Sequence, residues 1–126
     1  MIKMEESILT SIKALLGIGE DYTQFDTELV LLINGAISKL IQVGVGPDEG
    51  FTISGVTETW DELFDNAKNV EMAKTYIYLD VRVLFDPPSN SFVVDAFNKE
   101  KDELASRLTW QWDANHPREK EAKEDD

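Results

Sequence analysis

Four stretches of the chain carry apolar residues at the spacing of one helix face, and glycine or proline stands where most of them stop. That pattern confines the fold to helices joined at fixed corners. The sharpest case lies between residues 69 and 97. Val70, Ala73, Ile77 and Leu84, with Tyr76 and Val83 on the flank, predict a buried stripe on a helix from about Asn69 to Phe85. Pro87 disfavours helical geometry at Asp86, so that helix should end close to Phe85. Pro87 and Pro88 then make a rigid structural corner, and Ser89, Asn90 or Ser91 supplies the next N-cap. Beyond it Phe92, Val93, Ala96, Phe97, Leu104 and Leu108 predict the inner face of a long last helix reaching about Trp112. The mixed charges from Lys99 to Glu103 read as its solvated face.

Upstream, Met4, Ile8, Leu9, Ile12, Leu15 and Leu16 predict a first amphipathic helix, with Gly17 placed for a left-handed C-terminal cap. A second helix should run from Asp26, as N-cap, to about Val43, with Phe25 positioned to staple against Val30. Asn34-Gly35 is also a strong hairpin signal, but LVLLI does not alternate, and Leu29, Ile33, Ala36 or Ile37, and Leu40 keep one helical face through it. Gly35 and Ala36 would let another helix approach closely. From Gly44 to Gly55, four glycines and a proline predict a long loop or a short ribbon, on which Phe51 and Ile53 alternate with polar residues and need cover from this chain or another copy. Thr57 then caps a short helix carrying Trp60, Leu63 and Phe64.

The expectation is a small all-α bundle of three main helices plus a short one, with a long C-terminal helix and a Gly-rich loop between helices two and three. Its 126 residues fit one domain over residues 1–112, followed by an acidic tail, 113–126, without apolar periodicity and expected to be disordered. The absence of cysteine excludes disulfides and thiolate metal sites. No run approaches the roughly 20 apolar residues of a membrane helix, and MIKMEESIL lacks the layout of a signal peptide, so a reducing cytoplasm and no membrane are expected. Of the net charge of −13, the tail's six acids against three bases leave −10 on residues 1–112. Such a body repels phosphate backbones and does not bind nucleic acid specifically.

Catalytic equipment is sparse. The single histidine, His116, stands beside Pro117 in the polar tail, away from any fixed base or nucleophile. Glu58, Asp61, Glu62 and Asp65 could share a helical face, but they lack the calcium-loop spacing and any histidine partner. GIGEDY and GVGPDEG are fragments of a phosphate-loop pattern that do not run from strand to helix, and no helix is basic enough to read DNA. No catalytic residue, metal or cofactor is expected. What remains is aromatic surface: tryptophan is enriched at interface hot spots, and Trp110 and Trp112, two positions apart on one helix, cannot both face the same core. One of them should meet a partner.

Phe25-Asp26 opening a helix, Ile33-Asn34-Gly35-Ala36 where relatives commonly show I-N-S-A, Val43-Gly44-Val45-Gly46 closing it, and Leu84-Phe85-Asp86-Pro87-Pro88 with Asn90-Ser91-Phe92 stand in a fixed order. Together, across residues 5 to 110, they resemble the head-tail connector (adaptor) family of long-tailed phages and prophages. The resemblance implies a non-enzymatic virion protein of the head-tail junction, assembled in host cytoplasm as a ring under the portal protein, extending the DNA channel. It implies further contact with the next neck or tail-completion protein, and about twelve copies per ring with monomers before assembly. Trp110, Trp112, Arg107 and Arg118 would then face the portal or neck, and Phe51 and Ile53 the neighbouring subunit; Trp60 either joins that interface or caps the chain's own core. A rival from another class is an acidic inhibitor that mimics DNA and blocks a nucleic-acid enzyme.

Overall fold

The computed structural model describes residues 6–64 and 67–115. They form five helices and no strand: α1 (Ile8–Leu15), α2 (Asp26–Gln42), the one-turn α3 (Trp60–Leu63), α4 (Ala67–Phe85) and α5 (Ser91–Asn115). The fold class is all-α, as the periodicity predicts. α4 is the hub, packing against α5, α2 and α1. Met4, placed in the first helix by its spacing, lies outside the described residues.

Both early helices stop for the same backbone reason. After α1, Gly17 takes φ +80°, its N–H reaches Ala14 O at 3.1 Å, and Ile18 N–H reaches back to Lys13 O at 2.8 Å. After α2, Gly44 takes φ +92° and repeats the pair of bonds, Gly44 N–H to Ile41 O at 3.0 Å and Val45 N–H to Leu40 O at 2.9 Å. These are Schellman closures, and the buried Val45 against buried Leu40 completes the second with its usual apolar contact.

Two helix starts depart from the expectation and a third meets it. Asp26 is the first residue of α2 rather than its cap: Phe25 holds the N-cap position, and the Asp26 carboxylate instead meets Lys13 Nζ at 2.8 Å. Lys13 is buried and also donates to Tyr22 O at 2.6 Å and Glu20 O at 3.3 Å, so a fixed ammonium gathers the connecting loop and outcompetes the local cap. The Phe25 ring lies edge-on to Phe85 at 5.3 Å. At α3 the capping residue is Thr59, not Thr57, because Glu62 reaches back to the Thr59 N–H at 3.1 Å and closes the reciprocal box. At α5 the cap comes from the expected trio: Asn90 Oδ1 accepts the Phe92 N–H at 2.8 Å.

Burial along α4 and α5 also shifts. On α4 the buried line runs Val70, Ala73, Ile77, Val81, while Leu84 is 57% exposed. Angle alone does not separate the two, since seven residues turn only about 20° from Ile77 and four about 40°; Leu84 lies in the last turn of α4, past the end of the buried line. On α5 the buried residues are Leu104, Leu108 and Trp112, with Phe97 and Ala105 partly covered. Phe92, Val93 and Ala96, expected on the inner face, are exposed, Phe92 at 82%. Phe92 and Ala96 share a line that continues through polar Glu100 and Glu103 rather than through Leu104. Gly35 is exposed and a side chain there would meet nothing within 4 Å, so it is not a point of close helix approach; Ala36 beside it is buried.

Candidate interaction surface

The long loop after α2 is held by one side chain. Asn34, on α2, accepts the Ile53 N–H on Oδ1 at 2.7 Å and donates from Nδ2 to Ile53 O at 3.0 Å, pairing with the backbone as a neighbouring strand would. Ile53 is thereby buried in the chain's own core, and Phe51 is partly covered against it. Farther along, Ser54 donates both its N–H, at 3.0 Å, and its hydroxyl, at 2.8 Å, to Glu58 Oε2. Burial raises the Glu58 pKa, but the Ser54 hydroxyl and the N–H groups of Glu58, Ser54 and Gly55 outweigh it and hold the carboxyl below its ordinary value. Ser7 and Thr59 then form an isolated antiparallel bridge that ties the start of α1 to α3.

Trp60 belongs to the core. It is fully buried, and its indole Nε1–H donates to Ser11 Oγ at 3.0 Å, which in turn donates toward Glu6 Oε1 at 2.7 Å and Ser7 O at 2.8 Å. Of the three residues assigned from sequence to a neighbouring subunit, Ile53 and Trp60 are therefore enclosed by this chain, the first because Asn34 clamps its backbone and the second because Ser11 takes its indole N–H. Phe51 alone keeps accessible surface. Beside this loop an open groove is lined by Asp26, Val30, Leu31, Ser54 and Val56, where Leu31 and Val56 are exposed.

The far end of α5 separates its two tryptophans as their spacing requires. Trp112 is 9% exposed and its ring stands edge-on to Phe64 at 5.8 Å. Trp110 is 73% exposed and forms a ridge between two shallow depressions, one lined by Val43, Ala105 and Thr109, the other by Met72, Arg107 and Gln111. Arg107 points outward, its guanidinium 3.8 Å from Glu103. Arg118 lies outside the described residues, as do His116 and the rest of the tail from 116; residues 113–115, assigned from sequence to that tail, continue α5.

What fixes the direction of α5 is a buried ion cluster that the sequence reading missed. Asp80, on α4, receives Lys39 of α2 at 2.8 Å and Lys101 of α5 at 2.7 Å, and Lys101 lies 6.0 Å from the centre of the Tyr76 ring. Burial first, and the carboxylates of Asp80 and Asp102 after it, raise the Tyr76 pKa above its ordinary value. Asp80 could have been noticed as a lone acid three residues after Ile77 in an otherwise apolar stripe, and Lys13 as a lone base four residues after Leu9.

Among the described residues no three His, Cys, Asp or Glu side chains converge as a metal site would require. The acids at 58, 61 and 62 hold Ser54 and Thr59, and Asp65 lies outside the described residues. No described helix is long and apolar enough to cross a membrane. The ordered features are thus a clamped loop, a rigid corner and a tryptophan ridge, the equipment of a protein that fits against others. Residues 8–115 match the family described as Phage connector protein. The chain belongs to that family. No curated protein and no solved structure matches it. As a phage connector protein it is a structural component of the virion, made to contact other head and tail proteins, in a family that is not typically enzymatic.

Proposed function

We propose that this connector is a portal adaptor. Its copies, monomeric when free, close by head-to-tail contacts into a ring of about twelve under the portal vertex. The ring extends the DNA channel and offers a platform to the next neck or tail-completion protein. Assembly takes place in the host cytoplasm, and the finished ring sits at the head-tail junction. The observation that carries this reading is Trp110, 73% exposed near the end of a helix whose direction Asp80 and Trp112 fix. A rigidly presented tryptophan between two depressions is an anchor of the kind that dominates interface energies. Arg107, beside it, supplies a charged contact to the portal, and Phe51 with the Leu31–Val56 groove supplies the surface for the neighbouring subunit. The net charge of −13 suits a channel wall, since carboxylates repel sliding DNA instead of gripping its phosphates.

The test is electron microscopy of purified portal mixed with the full chain. Added ring density beneath the portal is expected with the parent, and its loss with Trp110→Ala, whose melting temperature should be unchanged. A portal that takes up no subunit at any salt concentration, or that takes up Trp110→Ala as well as the parent, refutes the reading.

A further inference from the structure

We infer that the opposite end of the bundle, around the two-proline corner, is a second docking surface, and that its occupant is a basic, apolar segment of another virion protein. The inference rests on the connector reading only for the word virion; the surface itself is argued from exposure and charge.

At this end the described side chains leave an unusual amount of apolar area in water. The Tyr22 ring lies 5.6 Å from Phe25, and Phe25 lies 5.3 Å from Phe85. Tyr22 and Phe25 remain exposed, Leu84 is 57% exposed beside Phe85, and across the corner Phe92 is 82% exposed with Val93 also exposed. Single exposed apolar residues need no explanation, but five from three segments at one end of a bundle, around a partly buried Phe85, mark an interaction surface. The corner is stiff: Pro87 and Pro88 restrict the backbone, Arg82 Nε donates to Asp86 O at 2.6 Å, and Asn90 caps α5. A stiff apolar surface loses little conformational freedom on binding.

The charges choose the occupant. Glu20 and Asp21 precede Tyr22, Asp86 follows Phe85, and Asp95 lies one turn beyond Phe92, all four exposed. Of the bases near it, Lys13 is buried and paired with Asp26, and Arg82 is committed to Asp86 and to the Tyr78 hydroxyl at 3.2 Å. The rim is therefore acidic around an apolar centre, complementary to apolar side chains flanked by lysine or arginine. A second copy is a poor match, since the chain carries 25 acids against 12 bases. Phe92 and Trp110 are 18 residues apart on α5, about 27 Å at 1.5 Å per residue, which sets this surface apart from the Trp110 ridge.

The test uses the full chain, isotope-labelled for NMR, and a synthetic 14-residue amphipathic peptide of leucine and lysine, with a leucine and glutamate peptide as control. Shifts confined to Tyr22, Phe25, Leu84, Phe85, Phe92 and Val93 are expected with the lysine peptide, with affinity at least tenfold weaker for the glutamate peptide and falling as salt rises. The doubly substituted Leu84→Ser, Phe92→Ser chain should melt as the parent does and bind at least tenfold more weakly. Asp86→Lys with Asp95→Lys should reverse the preference between the peptides. No binding, binding mapped to Trp110, or equal affinity for both peptides overturns the inference. So does self-association in sedimentation that the serine pair abolishes, which would make the occupant a second copy. A chain that docks on the portal but ignores the lysine peptide loses this inference alone, and one that binds the peptide here but never docks on the portal loses only the adaptor reading.

Discussion

Replacing Asn34 by aspartate changes one group and almost no volume, and it isolates the clamp on the long loop. In the parent, Nδ2 donates to Ile53 O at 3.0 Å and Oδ1 accepts the Ile53 N–H at 2.7 Å. In Asn34→Asp the second bond survives and becomes charge-assisted, while the first is replaced by a carboxylate oxygen facing a carbonyl oxygen. Losing the donated bond costs about 1 kcal/mol, and leaving the carbonyl without a donor adds about 1–3 kcal/mol when water is excluded. Asn34 is only partly buried and Thr52 beside Ile53 is exposed, so water relieves part of that penalty. The strengthened N–H bond offsets a little more, and the net loss should be about 2 kcal/mol, a fall of about 8 °C in melting temperature for a domain of this size. Urea and thermal unfolding give the magnitude, and amide exchange gives the mechanism. The Ile53 amide should stay protected in Asn34→Asp, which keeps its acceptor, and exchange faster in Asn34→Ala, which has none. A loss under about 0.5 kcal/mol in both variants, or identical Ile53 exchange in all three proteins, would show that the loop is held by Ile53 burial alone and that the clamp is incidental.

Asp80→Asn should cost about 3 kcal/mol by urea unfolding, near the lower end for breaking a buried ion pair because Lys39 is half exposed and can turn to solvent. With Lys101→Met added, the combined loss should be clearly less than the sum of the single losses. Asn69 is fully buried with neither side-chain atom hydrogen-bonded among the described residues, so Asn69→Leu should be neutral or stabilising by about 1 kcal/mol; a loss would mean the amide is paired in solution. Trp112→Ala should lower stability by about 3 kcal/mol through the cavity left against Phe64, whereas Trp110→Ala should leave the unfolding midpoint where it is. Glu58 has a folded pKa below its unfolded one, so its contribution is complete above the ordinary value of 4.5 and fades as pH falls through the lowered folded value. Glu58→Gln should therefore lose stability at pH 7, and the gap from the parent should shrink at pH 3 in urea midpoints.

What the sequence made legible and what it hid divide along a physical line. The presence of each helix, the glycine closures at Gly17 and Gly44 and the stop before Pro87 depend on residues near one another in the chain, and the structure agrees with each. The misread positions depend on distant partners. Asp26 looks like a cap until Lys13, thirteen residues earlier, competes for its carboxylate. For Ile53 and Trp60 the sequence leaves open whether this chain or another copy covers them, and Asn34 and Ser11 supply the hydrogen bonds that draw their segments inward. Phe92 looks like core because apolar residues follow it at helical spacing, yet its own line runs on through Glu100 and Glu103 while the core takes the line of Leu104 and Leu108. That last error is informative, because a large apolar side chain on an otherwise polar line has no use inside the chain and suits a contact outside it. Both ends of α5 are of this kind, Phe92 after a rigid corner and Trp110 beyond a buried ion cluster. A helix held by its middle, with an aromatic anchor exposed at each end, is mechanically suited to joining two different partners at a set distance.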